Sequence, residues 1–204
     1  MQSTSGAPAT TKNRRTVRSV TRRTPPSPRF ETELSGTVAS AVAGDDLAFE
    51  RIVSSYHEDM RRVCAVMCHD EEVAEEAVQS AWAIAWRKLD TLDDHRCLRP
   101  WLVSVAVNEA KLLLRRRGRR SGVEVSADPS SVASEPDPAL DPTGLDLRRA
   151  LARLDPEDRA LLAMRYVAGF DSTELAAAIG LSPSGTRNRL QRLLTRLRRE
   201  LGDD

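Results

Sequence analysis

Hydrogen-bonding side chains recur along one side of the last amphipathic segment of the chain, residues 183–201. At 100° per residue, the leucines of this segment fall on the opposite side. Amide and guanidinium groups in this arrangement can recognise base edges in the major groove of duplex DNA, while the leucines dock the helix on its neighbours. The polar side consists of Asn188, Gln191, Arg192, Thr195 and Arg199.

A short amphipathic segment, residues 172–179, precedes this helix, and Gly180 and Ser182 lie between the two. This order predicts a helix-turn-helix, whose second helix enters the major groove. A solvated basic face on a helical hairpin is the alternative interpretation. Three more arginines lie at the flanks of the second helix, where phosphates would be contacted: Arg187, Arg189 and Arg196.

A second polar stripe follows the long helix predicted over residues 98–117, at spacings of three and four. An aromatic ring beside donors and cations suits single-stranded nucleic acid, whose bases stack while its phosphates are neutralised. The alternative is a core tryptophan beside an ordinary polar edge. The stripe consists of Trp101, Ser104, Asn108, Lys111 and Arg115. Three residues at the helix start favour the nucleic-acid interpretation: His95, Arg96 and Arg99.

The helix predicted from Asp70 to Leu89 begins with acidic residues, in contrast to the two basic helices described above. Glutamates crowd its first turns, where the helix dipole stabilises negative charge. A separate stripe combines large aromatic rings with a carboxylate and an amide, which is typical of a protein–protein interface. The alternative places both tryptophans in the core. The stripe consists of Glu75, Gln79, Trp82 and Trp86.

Charge is segregated along the 204 residues, although the formal net charge is only +1. Residues 1–30 carry seven basic and no acidic side chains, whereas residues 31–94 carry five basic and fifteen acidic ones. Residues 95–120 carry eight basic and one acidic side chain, and residues 121–146 carry six acidic and no basic ones. This segregation predicts separate surfaces for separate partners, with nucleic acid on the basic surfaces.

Apolar side chains at helical spacing, with leucine, valine and alanine as the main core residues, predict an all-α fold of two small helical domains. Residues 1–30 show no apolar period and are predicted to be a disordered basic arm, with a transit peptide as the alternative. Residues 121–143, rich in serine, proline and acidic residues, are predicted to be a flexible linker. The two domains are therefore expected at residues 31–120 and 144–204.

Several function classes lack their sequence signatures. There is no glycine-rich phosphate loop, HExxH or GxSxG motif, so neither an enzyme nor a cofactor is expected. Apolar runs too short for a bilayer, an odd number of cysteines and no apolar stretch near Met1 predict a cytoplasmic protein. Cys64, Cys68 and His69 do not complete a tetrahedral metal site, and buried thiols are the commoner arrangement.

These features, in this order, resemble the extracytoplasmic-function (ECF) group of bacterial sigma-70 RNA polymerase sigma factors. Members of this group contain two conserved helical domains, called regions 2 and 4, and the resemblance covers about residues 34–120 and 143–201. In the first domain it is carried by EEAVQ at 75–79, AWRKL at 85–89, LRPWL at 98–102, AVN at 106–108 and LLRR at 113–116. In the second domain it is carried by LDPE at 154–157, ELA at 174–176, GLS at 180–182 and RNRL at 187–190.

The resemblance implies three sets of contact residues. The set expected to bind the clamp of the polymerase largest subunit is Glu75, Glu76, Gln79, Trp82 and Trp86. The set expected to capture flipped bases of the melted downstream promoter element is Asp94, His95, Arg96, Cys97, Arg99, Trp101, Asn108, Lys111 and Arg115. The set expected to recognise the upstream element as duplex is Ser184, Arg187, Asn188, Arg189, Gln191 and Arg192.

The resemblance implies core RNA polymerase and promoter DNA, both duplex and melted, as partners, and it allows an anti-sigma factor as a further one. Four positions differ from the usual family residue: Glu76 replaces aspartate, Leu98 an aromatic residue, Val107 arginine and Leu112 aspartate. The leading alternative function is a stand-alone helix-turn-helix regulator with a helical sensor domain. An enzyme with an unrecognised site is the second alternative.

Overall fold

The computed structural model describes residues 28–120 and 142–202, and all regular structure within these ranges is helical. The all-α prediction is therefore confirmed for this part of the chain. The α-helices are α1 (Pro28–Val42), α2 (Asp46–Cys68), α3 (Glu71–Lys88), α4 (Leu98–Arg120), α5 (Pro142–Ala152), α6 (Pro156–Tyr166), α7 (Ser172–Ile179) and α8 (Pro183–Leu201). Two 3-10 turns, Leu89–Thr91 and His95–Cys97, connect α3 to α4.

Side chains that accept hydrogen bonds from free backbone N–H groups determine where most helices begin. Asp70 accepts from the Val73 N–H at the start of α3, and Ser182 accepts from the Gly185 N–H at the start of α8. Pro183 follows as the first residue of α8, where its fixed φ suits a helix and its missing N–H costs nothing. The sequence therefore predicted the bounds of α8 correctly.

One helix cap and two helix starts differ from the sequence prediction. The cap of α7 is Asp171 and not Ser172, because the Asp171 carboxylate accepts from the Thr173 and Glu174 N–H groups while Glu174 returns a bond to the Asp171 N–H. The helix α5 begins at Pro142, inside the linker that was predicted over residues 121–143. Similarly, α1 begins at Pro28, inside the predicted arm; the remaining arm residues and linker residues 121–141 lie outside the described part of the chain.

The first helical group packs α1, α3 and α4 against the central helix α2. Its core consists of aliphatic and thioether side chains with no exposed surface, as expected from the three- and four-residue apolar spacing. Examples are Met60, Val63, Val78, Leu102 and Ala106. This packing orients the tryptophan stripe of α3 and the polar stripe of α4.

The second helical group, α5 to α8, has its own core of large buried side chains, among them Leu154, Leu161, Met164 and Leu175. The leucine side of α8 closes this core through Leu190, Leu193 and Leu197. Gly180 adopts a left-handed conformation, with φ of 70°, and this allows the sharp turn between α7 and α8. The predicted helix-turn-helix is thus present.

The two helical groups contact each other directly. Helix α6 packs against α2, and α4 contacts both α6 and α7, so buried apolar side chains form one continuous cluster across both groups. The sequence pattern did not predict this contact. The structure consequently places part of α4 against the second group, beneath the residues that precede α7.

We predict that Asp171→Ala lowers the free energy of unfolding by about 1 kcal/mol, because the first N–H groups of α7 lose their acceptor. Asp171→Asn should retain most of the stability, since an amide oxygen is also a good N-cap acceptor. Urea unfolding of the two variants and of Ser172→Ala measures the difference. A larger loss for Ser172→Ala than for Asp171→Ala would contradict the cap assignment.

A second prediction concerns His69, which ends α2 in the left-handed conformation and is buried. Burial first, and then the charges of Arg159 and Arg148, lower the pKa of His69 to about 4. Between the ordinary histidine pKa and pH 4, the unfolded chain therefore binds more protons than the folded chain. His69 consequently lowers the free energy of unfolding as the pH falls through that interval.

His69→Asn should weaken this pH dependence, because asparagine does not titrate and tolerates the left-handed conformation. Urea unfolding of both proteins from pH 7 to pH 4 gives the comparison. If both proteins lose the same stability on acidification, His69 does not contribute to the pH dependence of the free energy of unfolding.

Candidate protein and nucleic-acid interfaces

The tryptophan stripe of α3 lies on the surface of the first helical group. Trp86 is 47% exposed and Trp82 is half-buried. Phe49 of α2 packs edge-on against both rings, with centroid distances of 5.8 Å to Trp82 and 4.7 Å to Trp86. This geometry is favourable for aromatic pairs, so Phe49 fixes the orientation of two rings that solvent partly surrounds.

The sequence pattern did not predict the contact of Phe49 with the two tryptophans. Its place in the apolar period of α2 indicated an ordinary core residue, and contact with α3 depends on how the two helices pack. The residue type could have drawn attention to this position, because Phe49 is one of only three phenylalanines in the chain. Large aromatic side chains dominate the energetics of cores and interfaces alike.

Polar groups border this aromatic surface. The Trp82 indole N–H donates to His57 Nδ1 at 3.3 Å, and the other ring nitrogen of His57 lies 3.8 Å from a Glu75 carboxylate oxygen. The Gln79 amide donates to Glu75 at 3.4 Å, and Gln79 and Glu76 are exposed. The structure therefore brings all five residues of the predicted polymerase-binding set to one helix surface: Glu75, Glu76, Gln79, Trp82 and Trp86.

The loop before α4 has a defined conformation. The Asp94 carboxylate accepts from the Arg96 N–H and receives two bonds from the Arg96 guanidinium, each at 3.0 Å. These bonds, the Arg96 side-chain bond foremost, lower the pKa of Asp94 below its ordinary value. His95 Nδ1 lies 2.8 Å from the Ser35 hydroxyl of α1, and Cys97 is exposed. The predicted base-capture loop is thus held by its own aspartate and by α1.

The polar stripe of α4 is partly open to solvent. Asn108 and Arg115 are exposed, and Trp101 and Lys111 are half-buried. The Ser104 hydroxyl donates to the Pro100 carbonyl oxygen at 2.7 Å, so this side chain is engaged within its own helix. This part of the stripe is accessible to solvent, and its contact with a single strand stays a prediction.

Arg99 is placed differently from the rest of this set. Its Nε donates to Asp59 at 2.7 Å, and its Nη2 donates to the Ala168 carbonyl oxygen of the second helical group at 2.5 Å. The guanidinium also lies over the Phe170 ring, 5.6 Å from its centroid. Because only 16% of the Arg99 side chain is exposed, the structure directs it into the contact between the two groups and away from the open stripe.

The polar side of α8 faces solvent along a shallow surface groove, as predicted. The leucine side and Thr186 are buried or half-buried. Arg189 is the exception among the predicted contacts, because it forms an ion pair of 2.6 Å with the largely buried Asp158 of α6 and so anchors the helix. The exposed predicted residues of this helix are Ser184, Arg187, Asn188, Gln191, Arg192, Thr195, Arg196 and Arg199.

The cysteines of α2 are buried thiols. Burial raises the pKa of Cys68 to about 12 and raises that of Cys64 still further, so both remain protonated and unreactive near neutral pH. Within the described ranges 28–120 and 142–202, no cluster of three or more histidine, cysteine, aspartate or glutamate residues could hold a metal ion. No helix in these ranges is both long and apolar enough to cross a membrane.

Comparisons with family models and with known proteins agree on one family. The model of sigma-70 region 2 matches residues 52–120, and the model of sigma-70 region 4 matches residues 144–197. The chain is 27% identical over 179 residues to the ECF RNA polymerase sigma factor SigM of Mycobacterium tuberculosis, covering 85% of this chain and 87% of SigM. It is 29% identical over 168 residues to the probable RNA polymerase sigma factor RfaY of Xanthomonas campestris pv. campestris, covering 79% of this chain but 42% of RfaY.

The fold is similar to that of CnrH, solved in complex with the cytosolic domain of CnrY. The TM-score is 0.61 at 25% identity, and the similarity covers 82% of this chain and 96% of that chain. The matched regions contain the surfaces described above, with α3 and α4 inside region 2, and with α7 and α8 as far as residue 197 inside region 4. The chain therefore belongs to the sigma-70 family of RNA polymerase sigma factors, within the extracytoplasmic-function group.

Proposed function

We propose that this sigma factor directs core RNA polymerase to promoters through three separate surfaces on domains at residues 31–120 and 144–204. The observation that carries the proposal is that one family match lies within each helical group, residues 52–120 in the first and residues 144–197 in the second, and that every residue of the three sets is exposed or half-buried. The stand-alone regulator is the weaker alternative, because its sensor domain would occupy residues that match sigma-70 region 2.

The first surface, on α3, binds the clamp of the polymerase largest subunit. Trp86 offers exposed aromatic area at a low entropic cost, because Phe49 already restricts the ring. Glu75 and Gln79 surround it with polar groups, as a rim surrounds the centre of an interface. The proposed binding set comprises Glu75, Glu76, Gln79, Trp82 and Trp86.

The second surface, on the loop before α4 and on α4 itself, captures the melted downstream promoter element. Extruding a base from a duplex costs a few kcal/mol, and stacking together with phosphate neutralisation can supply it. The chain itself contributes binding energy and no covalent step, so we propose no catalytic residue. The proposed set is Asp94, His95, Arg96, Cys97, Arg99, Trp101, Asn108, Lys111 and Arg115.

The third surface, on α8, recognises the upstream element as duplex. Asn188 and Gln191 can pair with adenine, and Arg192 can pair with guanine, each through two hydrogen bonds in the major groove. Ser184 and Arg187, at the first turns of α8, lie where a recognition helix contacts the duplex. Arg189 contributes to this surface by holding α8 on α6 through Asp158.

Partners and location follow from the same proposal. The chain acts in the cytoplasm, with core RNA polymerase and promoter DNA as its partners. We also propose an anti-sigma factor, because a neighbouring fold, that of CnrH, accommodates a bound protein domain.

Replacing Trp86 by alanine should weaken binding to core polymerase by roughly 30-fold, the effect of losing a central aromatic contact. Phe49→Leu should give a smaller loss, since both tryptophans remain but lose their edge-on partner. Co-elution with core polymerase and a titration of fluorescently labelled core measure both effects. Arg87→Ala, on an exposed neighbouring position of α3, is the matched control. Equal binding by Trp86→Ala and Arg87→Ala would refute the α3 surface.

Replacing Arg192 or Asn188 by alanine should reduce transcription from promoters with the correct upstream element by about 5- to 150-fold, the range for losing one bidentate base contact. Association with core polymerase should not change. In vitro transcription with core enzyme on a pool of promoters gives the readout, and Arg198→Ala, exposed elsewhere on α8, is the control. An unchanged promoter preference would exclude α8 as the recognition helix.

A further inference from the structure

Helix α1 lies beside the loop to which the proposed function assigns base capture. It packs against α2, with Val38 and Ala41 buried, and it contacts both 3-10 turns between α3 and α4. The match to sigma-70 region 2 begins at residue 52, so α1 lies outside the matched residues. Its contact with the loop is therefore a feature of this chain that the family match does not cover.

Ser35 makes the polar part of this contact. Its hydroxyl oxygen lies 2.8 Å from Nδ1 of His95, which is 60 positions away in the chain. At 100° per residue, Ser35 is turned by about 60° from the buried Val38, so it lies at the border of the buried side of α1. Both Ser35 and His95 are half-buried, and a hydrogen bond in such surroundings is stronger than one fully in water.

Separate contacts fix the backbone of the loop. The Asp94 carboxylate accepts from the Arg96 N–H at 3.0 Å, and the Asp94 carbonyl oxygen accepts from the Cys97 N–H at 2.9 Å. Neither bond involves the imidazole of His95. Among the described residues, Ser35 is the one hydrogen-bond partner of this ring, so Ser35 fixes the side-chain orientation that the backbone bonds leave open.

The bond to Ser35 also determines which ring nitrogen of His95 can meet a base. It occupies Nδ1, whichever of the two groups donates, and Nε2 has no partner in the part of the chain that the structure describes. A neutral imidazole has one N–H donor and one acceptor nitrogen, so the role of Nδ1 fixes the role of Nε2. A single directed donor or acceptor can recognise the edge of an unpaired base.

A fixed imidazole also loses less freedom when DNA binds. Without Ser35, the His95 side chain would sample several χ1 rotamers and ring orientations, and binding would have to select one of them. Contacts to wrong bases in the other rotamers would also become accessible. Holding one orientation therefore favours both the affinity and the selectivity of this contact.

From these contacts we propose that Ser35 of α1 is a positioning residue for promoter choice, which holds His95 in the orientation in which Nε2 recognises one unpaired base of the downstream element. This inference rests on the proposed function of the loop before α4. It adds α1, from outside the matched residues, to the elements that determine which promoters the chain selects.

The experiment measures the base preference of the complete holoenzyme. The full-length chain and core RNA polymerase transcribe a pool of promoter fragments with randomised promoter elements, each with a barcode in its transcribed part. Sequencing of the transcripts then gives the preference for each base at each position. Ser35→Ala should reduce the preference at one position of the downstream element by about 2- to 10-fold, the effect of releasing one ordered side chain. His95→Ala should reduce the preference at the same position by at least as much.

Matched variants separate positioning from stability. Ser35→Thr retains the hydroxyl and should restore the preference, whereas Ser40→Ala makes the same change as Ser35→Ala at an exposed position of α1 and should have no effect. Alanine is the best helix former, so Ser35→Ala should keep α1 helical, as circular dichroism and co-elution with core polymerase would check. In a His95→Ala background, Ser35→Ala should cause no further change, because it acts through that ring.

The outcomes distinguish this inference from the proposed function. If His95→Ala reduces the preference at one position and Ser35→Ala does not, the inference is overturned while the proposed function of the loop stands. A uniform loss of transcription from all fragments in Ser35→Ala, with unchanged preference, would show a structural role alone and would also overturn it. If His95→Ala itself leaves every preference unchanged, the proposed role of His95 in base capture fails, and Ser35 has no ring to position.

Discussion

Close packing through alanine restricts where the large side chains of α3 can lie. Ala74, Ala77, Ala81 and Ala85 of α3 have no exposed surface and face α2 and α4. Small side chains allow helix axes to approach closely, and a bulky ring on that side would separate the helices. The tryptophans of α3 therefore lie on its outer side, where Trp86 is 47% exposed and Trp82 is half-buried.

The sequence predicted the elements whose signals are local. Leucine spacing, Ser182 and Pro183 determine α8, and Asp70 determines the start of α3, so both were predicted correctly. The bounds of α7 were also predicted correctly, but its cap was not, because Asp171 and Ser172 are adjacent and both can cap a helix. The exposure of Asn188, Gln191 and Arg192 followed from the same periodicity, since the opposite face of α8 carries its leucines.

The contacts that could not be predicted join residues far apart in the chain. Arg99 meets Ala168 across 69 positions, and Arg159 meets Met67 across 92. Arg99 was assigned to the strand-binding set from its place at the basic start of α4 and from the family resemblance, and neither contains information about a second domain packed over it. Phe49 shows the same limit on a smaller scale, because its two aromatic partners are on another helix.

The aromatic surface of region 2 consists of side chains from two helices, α2 and α3, so neither helix alone can reproduce it. A synthetic copy of α3 would contain both indoles and all four glutamates, yet it would lack the phenylalanine ring of α2 that packs edge-on against both indoles. In such a peptide the indoles would sample many rotamers, and binding would have to restrict them again. Mimicry of this surface by a small inhibitor would accordingly require a rigid scaffold that reproduces three rings.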